Sequence, residues 1–533
     1  MRPEPSASED PAPALRRAMA DHARGRLAEA EAAYRGILAR DPDEVRALGL
    51  LALILADGPD EAEAERILAR HLALRPDDDA SLLALGRLSA RRGDDVAAVA
   101  LFRRAATARP GLAPIHNELG VSLHRLGDHA QALAAFDRAL AIDPAYAVAH
   151  GNRGLVLQAR GRPRLAARAL RRALRSGAED AGLWEALASV LDQDRRAQAA
   201  RVVRDDLARR TGVQRSGRTD AAAPRVLVLG AVGAGHVPTR YLVDPDAFAI
   251  AALTLLSPQA RDASLGRVAL DELRDTDVVF STLGDVDRDG GQLSAATAFC
   301  LALDKPVLNP PAAIRHTGRD AAAALFAGIP GLVTPPARRA SPAELAATPI
   351  ETPLLVRPAG DHGGQNLVRL QDAAERDAYL ATRPDERLLL TPFHDVRSAD
   401  GRWRKYRFVF VDRRPFPFHL AIADHWLVHY WRADMAGSAE ARAEEARFLA
   451  DWRGVFGPRA AAAVEAVARR LDLDYGGLDC ALTEAGEVLL FEANACILLH
   501  LDDPADVFPY KHRAVPPIRE AFTRLVLDRA RGR

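Results

Sequence analysis

Four prolines at one fixed interval constrain the fold of this chain more than any other feature. Pro42, Pro76, Pro110 and Pro144 each follow the previous one by 34 residues. Proline lacks a backbone donor and ends helices, so a regular series of prolines indicates a repeated helical unit. A fixed period of this length is typical of solenoids, in which each unit packs only against its neighbours.

The residues between the prolines keep the same period. In the second helix of each unit a small residue precedes a large one by four positions, in the pairs Ala30/Tyr34, Ala64/Leu68, Ala98/Phe102, Ala132/Phe136 and Ala166/Leu170. Small residues let paired helices approach closely, and large ones fill the remaining gap. Glycines recur in the first helix at Gly86, Gly120 and Gly154, and in the turn at Gly25, Gly93, Gly127 and Gly161. A helical bundle without repeats would not keep this spacing.

These positions resemble the tetratricopeptide repeat, most clearly in residues 113–144. The resemblance predicts an all-α solenoid over residues 1–210, with four to five repeats in residues 10–178 and a capping helical pair in residues 181–210. It implies a concave groove for a peptide or protein partner or for self-association. The polar residues of that groove are either ligand contacts or solvated positions: His116, Asn117, His150, Asn152 and Arg153.

The composition excludes several other classes of protein. The 533 residues include 72 Lys and Arg and 72 Asp and Glu, so net charge favours neither nucleic acid nor a membrane as a partner. Cys300, Cys480 and Cys496 form no CxxC pair, which argues against a disulfide framework and a structural zinc site. Apolar runs are too short to span a bilayer, and the first residues lack a signal-peptide pattern. We expect a cytoplasmic protein.

A different organisation begins after the repeats. Residues 211–224 gather Gly, Ser and Pro and predict a linker. Short apolar runs then alternate with helical segments over residues 225–311, which predicts a small parallel α/β subdomain. Gly230, Gly233 and Gly235 follow its first strand, but their GxxGxG spacing differs from the dinucleotide-binding GxGxxG and favours a tight turn.

Acidic residues near the end of the chain form the most informative cluster. Two strand-like segments joined at residues 484–486 would place Asp479 beside Glu492, with Asn494 on the same strand face as Glu492. Oxygen donors of this kind are the ligands that Mg²⁺ prefers, usually together with nucleotide phosphates. The alternative is a charged edge strand followed by a helix-capping asparagine.

This terminal segment resembles the metal-binding end of ATP-grasp enzymes, and the resemblance extends over residues 225–533. It implies an α/β ATP-grasp fold of two lobes in residues 312–533, with residues 225–311 as the preceding subdomain. It also implies that Asp479, Glu492 and Asn494 bind Mg²⁺. ATP phosphates would contact basic side chains and a glycine-rich loop, at Arg319, Arg357, Gly360, His362, Gly363 and Gly364.

Arginine stands at two positions where the family usually has lysine, Arg319 and Arg357. Arginine keeps its charge and binds phosphate in a bidentate manner, but its planar group reaches differently. The nucleotide site is therefore either adapted in its geometry to arginine or degenerate. Arg407 resembles the family arginine that holds the transferred phosphoryl group, and Lys405, two residues away, would assist it. Thr391 and Pro392 replace the acidic residue expected beside adenine.

Three functions follow from these patterns. The first is an ATP- and Mg-dependent ligase that activates a carboxylate as an acyl phosphate and joins it to an amine or thiol, with the repeats recruiting a peptide or protein substrate. The second is a repeat scaffold whose degenerate ATP-grasp domain binds nucleotide without turnover. The third, a repeat-linked glycosyltransferase, requires two Rossmann-like lobes, which the acidic terminal hairpin does not match.

Overall fold

The structure is a computed structural model that describes residues 11–232, 237, 239–257, 260, 270–361, 364, 366–382, 387–495 and 497–532. The chain divides into two compact units, Met1–Arg204 and Asp205–Arg533. Each has its own hydrophobic core. Gly233 and Gly235 of the predicted tight turn, and His362 and Gly363 of the predicted phosphate loop, lie outside the described residues.

The first unit is a series of antiparallel helix pairs. Its helices are α1 (Pro11–Ala23), α2 (Leu27–Arg40), α3 (Val45–Ala56), α4 (Glu61–Leu74), α5 (Asp79–Arg91), α6 (Asp95–Ala108), α7 (Ala113–Arg125), α8 (His129–Ile142), α9 (Ala147–Ala159), α10 (Pro163–Arg175) and α11 (Ala181–Gln193). Helix α12 (Ala197–Thr211) begins in this unit and continues past its last residue, Arg204. Helices α2, α4, α6 and α8 each end two residues before one of the evenly spaced prolines. The predicted helix-ending role of these prolines is confirmed.

The glycines have the roles that the pattern predicts. Gly25, Gly93, Gly127 and Gly161 have φ angles of 77°, 82°, 81° and 63°, which favour glycine at these turns. Gly120 in α7 lies against the ring of Phe136 in α8, so that a Cβ atom on Gly120 would lie 2.6 Å from the ring atom Cε1. Gly86 faces Phe102 and Gly154 faces Leu170 in the same way. Because these glycines have no side chain, the two helices of each of three successive pairs can approach closely.

The second unit begins with a mostly parallel sheet. Its strands β1 (Gln214–Gly217), β2 (Arg225–Ala231), β3 (Ala249–Leu255), β4 (Val278–Ser281) and β5 (Val307–Leu308) lie in the order β1-β3-β2-β4-β5. Strands β2 to β5 are parallel, as the sequence predicts, and α13 (Val286–Leu303) follows β4.

The predicted linker of residues 211–224 needs correction. Its residues Gln214–Gly217 form β1, which pairs antiparallel with β3 at the sheet edge. The segment is polar because it is an exposed edge strand, held by backbone hydrogen bonds rather than by buried side chains. Within the predicted linker, residues 212–213 and 218–224 lack a helix or strand.

Two antiparallel sheets follow. The first has the order β7-β10-β8-β9, and its strands are β7 (Arg338–Ala340), β8 (Leu354–Pro358), β9 (Val368–Leu370) and β10 (Leu388–Pro392). The second has the order β12-β11-β13-β14-β6, with strands β6 (Leu332–Val333), β11 (Trp403–Val411), β12 (Arg414–Ala423), β13 (Tyr475–Leu482) and β14 (Val488–Asn494). Of the strand pairs described in this second sheet, β14–β6 is parallel and the others are antiparallel.

The remaining helices surround these sheets. They are α14 (Pro311–Ile314), α15 (Ala322–Leu325), α16 (Pro342–Ala346), α17 (Ala373–Thr382), α18 (Ala439–Ala450), α19 (Trp452–Leu471), α20 (Lys511–Ala514) and α21 (Pro516–Ala530). Helices α18 and α19 cover one face of the β11–β12 pair, where Phe408 lies 5.0–5.3 Å, between ring centroids, from Phe448, Trp452 and Phe456. The opposite face of that sheet carries the charged residues. No described helix combines the length and apolar character that crossing a membrane requires.

Candidate functional site

The terminal hairpin brings the predicted acidic residues together. Strands β13 and β14 place Asp479 directly opposite Glu492, and Gly477 opposite Asn494. The turn between the strands spans residues 483–487. The two-residue period of a strand therefore predicts this juxtaposition correctly. What the three side chains bind is a separate question.

On its other side Asp479 faces two cations of β11. Arg407 lies opposite Asp479 in the strand register. Arg407 donates from Nε and Nη2 to the two oxygens of Asp479 at 2.6 and 2.8 Å, and Lys405 donates from Nζ at 3.0 Å. Such paired, charge-assisted hydrogen bonds fix both partners in orientation.

The electrostatics of Asp479 follow from this arrangement. Burial alone would raise the pKa of Asp479, but the charges of Arg407 and Lys405 outweigh it and hold the pKa well below its ordinary value. The carboxylate is therefore ionised at any physiological pH. Burial alone would lower the pKa of Arg407, but the negative charge of Asp479 raises it.

Glu492 is engaged in a similar way. Arg319, which precedes α15, donates from Nη2 to Glu492 Oε1 at 2.6 Å, and Asn494 donates to the same oxygen. The side chains of Arg319 and Glu492 are 13% and 20% exposed, so the pair is accessible from the adjacent cavity.

The donor chemistry of this cluster suits a divalent cation. Two carboxylates and an amide supply hard oxygen donors on neighbouring strands, as Mg²⁺ prefers. In the described residues no group of three His, Cys, Asp or Glu side chains is arranged to hold a metal ion by itself. A cation at Asp479, Glu492 and Asn494 would have to displace basic side chains from the carboxylates and take further ligands from a substrate.

Arg357 contrasts with the other basic residues. It lies on β8 opposite Leu389. Its Nε and Nη2 atoms are buried and have no acceptor among the residues that the structure describes. Burial, with a smaller effect of the charge of Arg319, lowers its pKa to about 10. Because a buried cation without an acceptor is costly, this position fits an anionic ligand.

All these groups except Asn494 line one cavity of about 210 Å³, between the two antiparallel sheets. Its walls change character along the strands. On β8 the lining passes from Arg357 to Leu355, and on β11 from Arg407 through Lys405 to Trp403. These steps correspond to about 7 Å and about 13 Å of extended strand. The cavity thus has a cationic end and an apolar, aromatic end.

The predicted phosphate loop is described only in part. Gly360 and Gly364 have φ angles of 86° and 72°, a conformation that favours glycine. Gly364 lines the cavity, where a Cβ atom would lie 3.3 Å from Leu427 Cδ1. Gly360 is not among the lining residues.

Beyond the predicted ligands, the structure places Asp285, His429 and Arg369 in or beside the site. Asp285, at the N-terminus of α13, is 6% exposed and acts electrostatically on Arg319 and Arg357. His429 lines the cavity, and burial and the charge of Lys405 lower its pKa. Arg369 stacks on Phe393 and Trp426, with its guanidinium carbon 4.9 and 5.6 Å from the ring centroids.

Two histidines of the repeat unit are not groove residues. His116 and His150 are 9% and 6% exposed, and their Nε2 atoms contact the carbonyl oxygens of Pro110 and Pro144 at 2.9 and 3.0 Å. Asn117 is 4% exposed and accepts a hydrogen bond from Asn152. The histidines therefore tie each proline turn to the next helix instead of contacting a ligand.

Comparison with known families supports the assignment of the first unit. A tetratricopeptide repeat model matches residues 15–79, 62–113 and 152–205, and a second such model matches residues 111–176. The N-terminal part of the chain thus consists of tetratricopeptide repeats. A comparison with curated proteins gives no match.

Solved structures also resemble about a third of this chain. YrrB, described as a tetratricopeptide protein with an unusual peptide-binding site, is 21% identical, with a TM-score of 0.31 over 34% of this chain and 92% of YrrB. MamA is 22% identical, with a TM-score of 0.29 over 31% of this chain and 91% of MamA. PilW, a type IV pilus biogenesis factor, is 19% identical, with a TM-score of 0.35 over 38% of this chain and 94% of PilW.

Proposed function

We propose that the second unit binds Mg-ATP in the cavity between its antiparallel sheets and phosphorylates a carboxylate, which an amine or thiol then attacks. The tetratricopeptide repeats would recruit a peptide or protein that carries one of the reactants and raise its local concentration. One observation supports the nucleotide most directly: the buried guanidinium of Arg357 has no acceptor among the described residues, in a cavity lined by four more Lys and Arg side chains.

The layout of the cavity suits a nucleotide. A triphosphate requires a cluster of cations, and a base requires a flat apolar surface. The cationic end offers Arg319, Arg357, Lys405 and Arg407, and the other end offers Leu355, Phe393 and Trp403. In this proposal Arg319 and Arg357 bind phosphates already present in ATP, while Arg407 and Lys405 stabilise the charge that develops on the transferred phosphoryl group.

The acidic residues have a complementary role. Asp479, Glu492 and Asn494 would hold Mg²⁺, which supplies Lewis-acid stabilisation of phosphate oxygens when bound. In the ligand-free arrangement Asp479 and Glu492 are neutralised by Arg407, Lys405 and Arg319. Phosphate groups would compete for these cations and release the carboxylates. The ion pairs therefore keep charged groups compensated before the nucleotide enters.

The reaction needs few further groups. A carboxylate oxygen attacks the γ-phosphorus, the bond to the bridging oxygen breaks, and ADP leaves. The nucleophile then attacks the acyl carbon, and phosphate leaves with the bonding electron pair. His429 lines the same cavity, and its lowered pKa keeps the imidazole neutral, so it is placed to accept the proton that the nucleophile loses.

A nucleotide and magnesium titration, followed by thermal unfolding, tests the binding step. An ADP-release screen of amino acids, peptides and co-purifying proteins then tests turnover. We expect Glu492→Ala to abolish ADP formation, because it removes one predicted magnesium ligand and the hydrogen bond from Arg319 to that carboxylate. Glu487→Ala, on the same hairpin but paired with Arg459 at the surface, is the control and should retain turnover. Unchanged ADP release in Glu492→Ala would contradict the assignment.

A second function is a repeat scaffold whose second unit binds nucleotide without turnover. It is favoured by the arginines at positions 319 and 357 and by the engagement of both carboxylates with basic side chains. Stabilisation by Mg-ATP with no ADP release from any carboxylate would support this alternative. The two antiparallel sheets do not support the glycosyltransferase alternative. Hydrolysis of a UDP-sugar without ADP formation would indicate that activity.

A further inference from the structure

The fifth repeat has an unusual charge. In a chain with equal numbers of basic and acidic residues, residues 144–178 contain no Asp or Glu. The same segment contains eight arginines: Arg153, Arg160, Arg162, Arg164, Arg168, Arg171, Arg172 and Arg175. The charge of this repeat must therefore be balanced by other parts of the chain, by solvent ions or by a partner.

The arginines of α10 lie on one face of the helix. At 3.6 residues per turn, positions 164, 168, 171, 172 and 175 fall within an arc of about 100°. The opposite side of α10 is its packing face, where Ala166, Leu170 and Ala173 are buried against neighbouring helices. From Arg164 to Arg175 the basic face extends over about 16 Å along the helix axis.

Most of the α10 arginines have no carboxylate partner in the described part of the chain. Arg164 contacts Asp194 at 3.1 Å. Among the residues that the structure describes, no carboxylate forms a salt bridge with any of the other four, which we call the α10 arginine face: Arg168, Arg171, Arg172 and Arg175.

In the earlier repeats, by contrast, some arginines form ion pairs with carboxylates. On α2, Arg35 binds Glu31 and Glu63. Arg92, in the turn after α5, binds Glu61 and Glu65 of α4. The α10 arginine face instead holds like charges three and four residues apart, which destabilises a helix. Arg172 and Arg175 lie in the last turn of α10, where the helix dipole favours cations, but no carboxylate of the described repeat unit forms a salt bridge with these four arginines.

We infer that the α10 arginine face is a docking surface for an acidic segment of a partner protein. Carboxylates spaced by one helical turn on an acidic segment would match arginines at the same spacing, and each arginine can bind a carboxylate in a bidentate manner. Bases of single-stranded nucleic acid need aromatic side chains for stacking, and residues 147–178 contain no Phe, Tyr or Trp. A membrane surface requires apolar side chains beside the cations, and Leu165 is the one large apolar residue exposed on this fully described helix.

A binding experiment with the full chain tests the inference. The probe is a fluorescein-labelled helical peptide with glutamate at i, i+4 spacing, and the reference is the same peptide with glutamine in place of glutamate. We expect the glutamate peptide to bind and the reference peptide not to. The variant R168Q/R171Q/R172Q/R175Q should bind about tenfold more weakly or worse, and binding should weaken as salt rises.

The control variant removes the same number of charges from equivalent helices. R66Q/R70Q/R103Q/R104Q changes exposed arginines of α4 and α6, and its affinity should stay within about twofold of the parent. Circular dichroism verifies folding of both variants; removing repulsion on α10 should not destabilise it. An equal loss of affinity for the glutamate peptide in both variants would overturn the inference. Tight binding of a single-stranded oligonucleotide or of phosphatidylserine vesicles, without binding of the glutamate peptide, would also overturn it.

Discussion

Arg357 is the side chain on which the nucleotide proposal depends most. Its buried guanidinium destabilises the ligand-free unit, because burial lowers its pKa to about 10 and no described acceptor contacts Nε or Nη2. We predict that Arg357→Gln raises or preserves the thermal stability of the ligand-free protein. Mg-ATP should bind about tenfold more weakly, because a charge-assisted phosphate contact is lost. Thermal unfolding with and without Mg-ATP measures both effects.

The control is Arg338→Gln, which removes a surface arginine hydrogen-bonded to Thr348. It should leave the shift caused by Mg-ATP unchanged. A ligand-free unit that unfolds at a much lower temperature after Arg357→Gln would mean that this side chain is structural.

Glu445 is a second residue with a measurable consequence. It is fully buried on α18, where Tyr510 and the Leu420 amide donate to it and Lys511 Nζ lies 3.3 Å away. Burial raises the pKa of Glu445 to about 8 and lowers that of Lys511 to about 7. A carboxyl group with a raised pKa stabilises the fold fully below its unfolded pKa, and this contribution is lost as the pH rises through the folded pKa.

We predict that Glu445→Gln becomes more stable relative to the parent as the pH rises from 5 to 8, by at most about 1.4 kcal/mol per pH unit. The difference should be constant above that window. Urea unfolding at several pH values measures it. Glu487→Gln, at a surface ion pair, is the control. A parallel trend in both variants would argue against a buried neutral Glu445.

Individual site residues are unequally predictable from sequence. Asp479 and Glu492 can be paired because a hairpin and a two-residue period suffice. Their ion pairs with Arg407 and Arg319 depend on neighbouring strands and on a distant loop, and no local pattern specifies those contacts. Asp285 carries no such signal, because it is an isolated residue whose role arises only in three dimensions.

Paired helices are the next scale, and glycine substitutions test their packing. We predict that Gly120→Ala destabilises the repeat unit by about 1–3 kcal/mol, because the new methyl group would overlap the Phe136 ring. Gly36 lies on α2, where a Cβ atom would have no neighbour within 4 Å, so Gly36→Ala should instead stabilise by about 0.5–1 kcal/mol. Urea unfolding of the two variants should give changes of opposite sign. Equal changes would contradict the close packing of α7 on α8.

Elements are predictable where side chains carry a period. The prolines and turn glycines specify helix ends because they act locally through backbone conformation. Strand β1 escapes prediction because the segment QRSG has no apolar alternation, and its place in the sheet comes from backbone pairing with β3. Strands with buried faces, such as β2 and β11, can be recognised from their apolar residues.

For the whole molecule, the division into two units predicts independent responses to ligands. Each unit has its own core, so we expect two unfolding transitions in calorimetry. Mg-ATP at about one hundred times its dissociation constant should stabilise only the second unit, by about 2.7 kcal/mol. The glutamate peptide should raise the unfolding temperature of the first unit only. A single transition that both ligands shift would contradict this independence.

The overall organisation is predictable in its first part and less so in its second. Repetition specifies a solenoid because the same local rule is applied many times. The two antiparallel sheets depend on pairing between strands far apart in sequence, such as β6 with β14, and no local pattern in the sequence specifies that pairing.

The contact between a first-helix glycine and a second-helix Phe or Leu has a consequence for how such a chain can change. It recurs in register in three successive pairs, at Gly86, Gly120 and Gly154. A duplication or deletion of one whole 34-residue module would therefore join compatible surfaces, whereas a gain or loss of a few residues would not. The number of modules can therefore change during evolution, and the length of the solenoid changes by one whole module at a time.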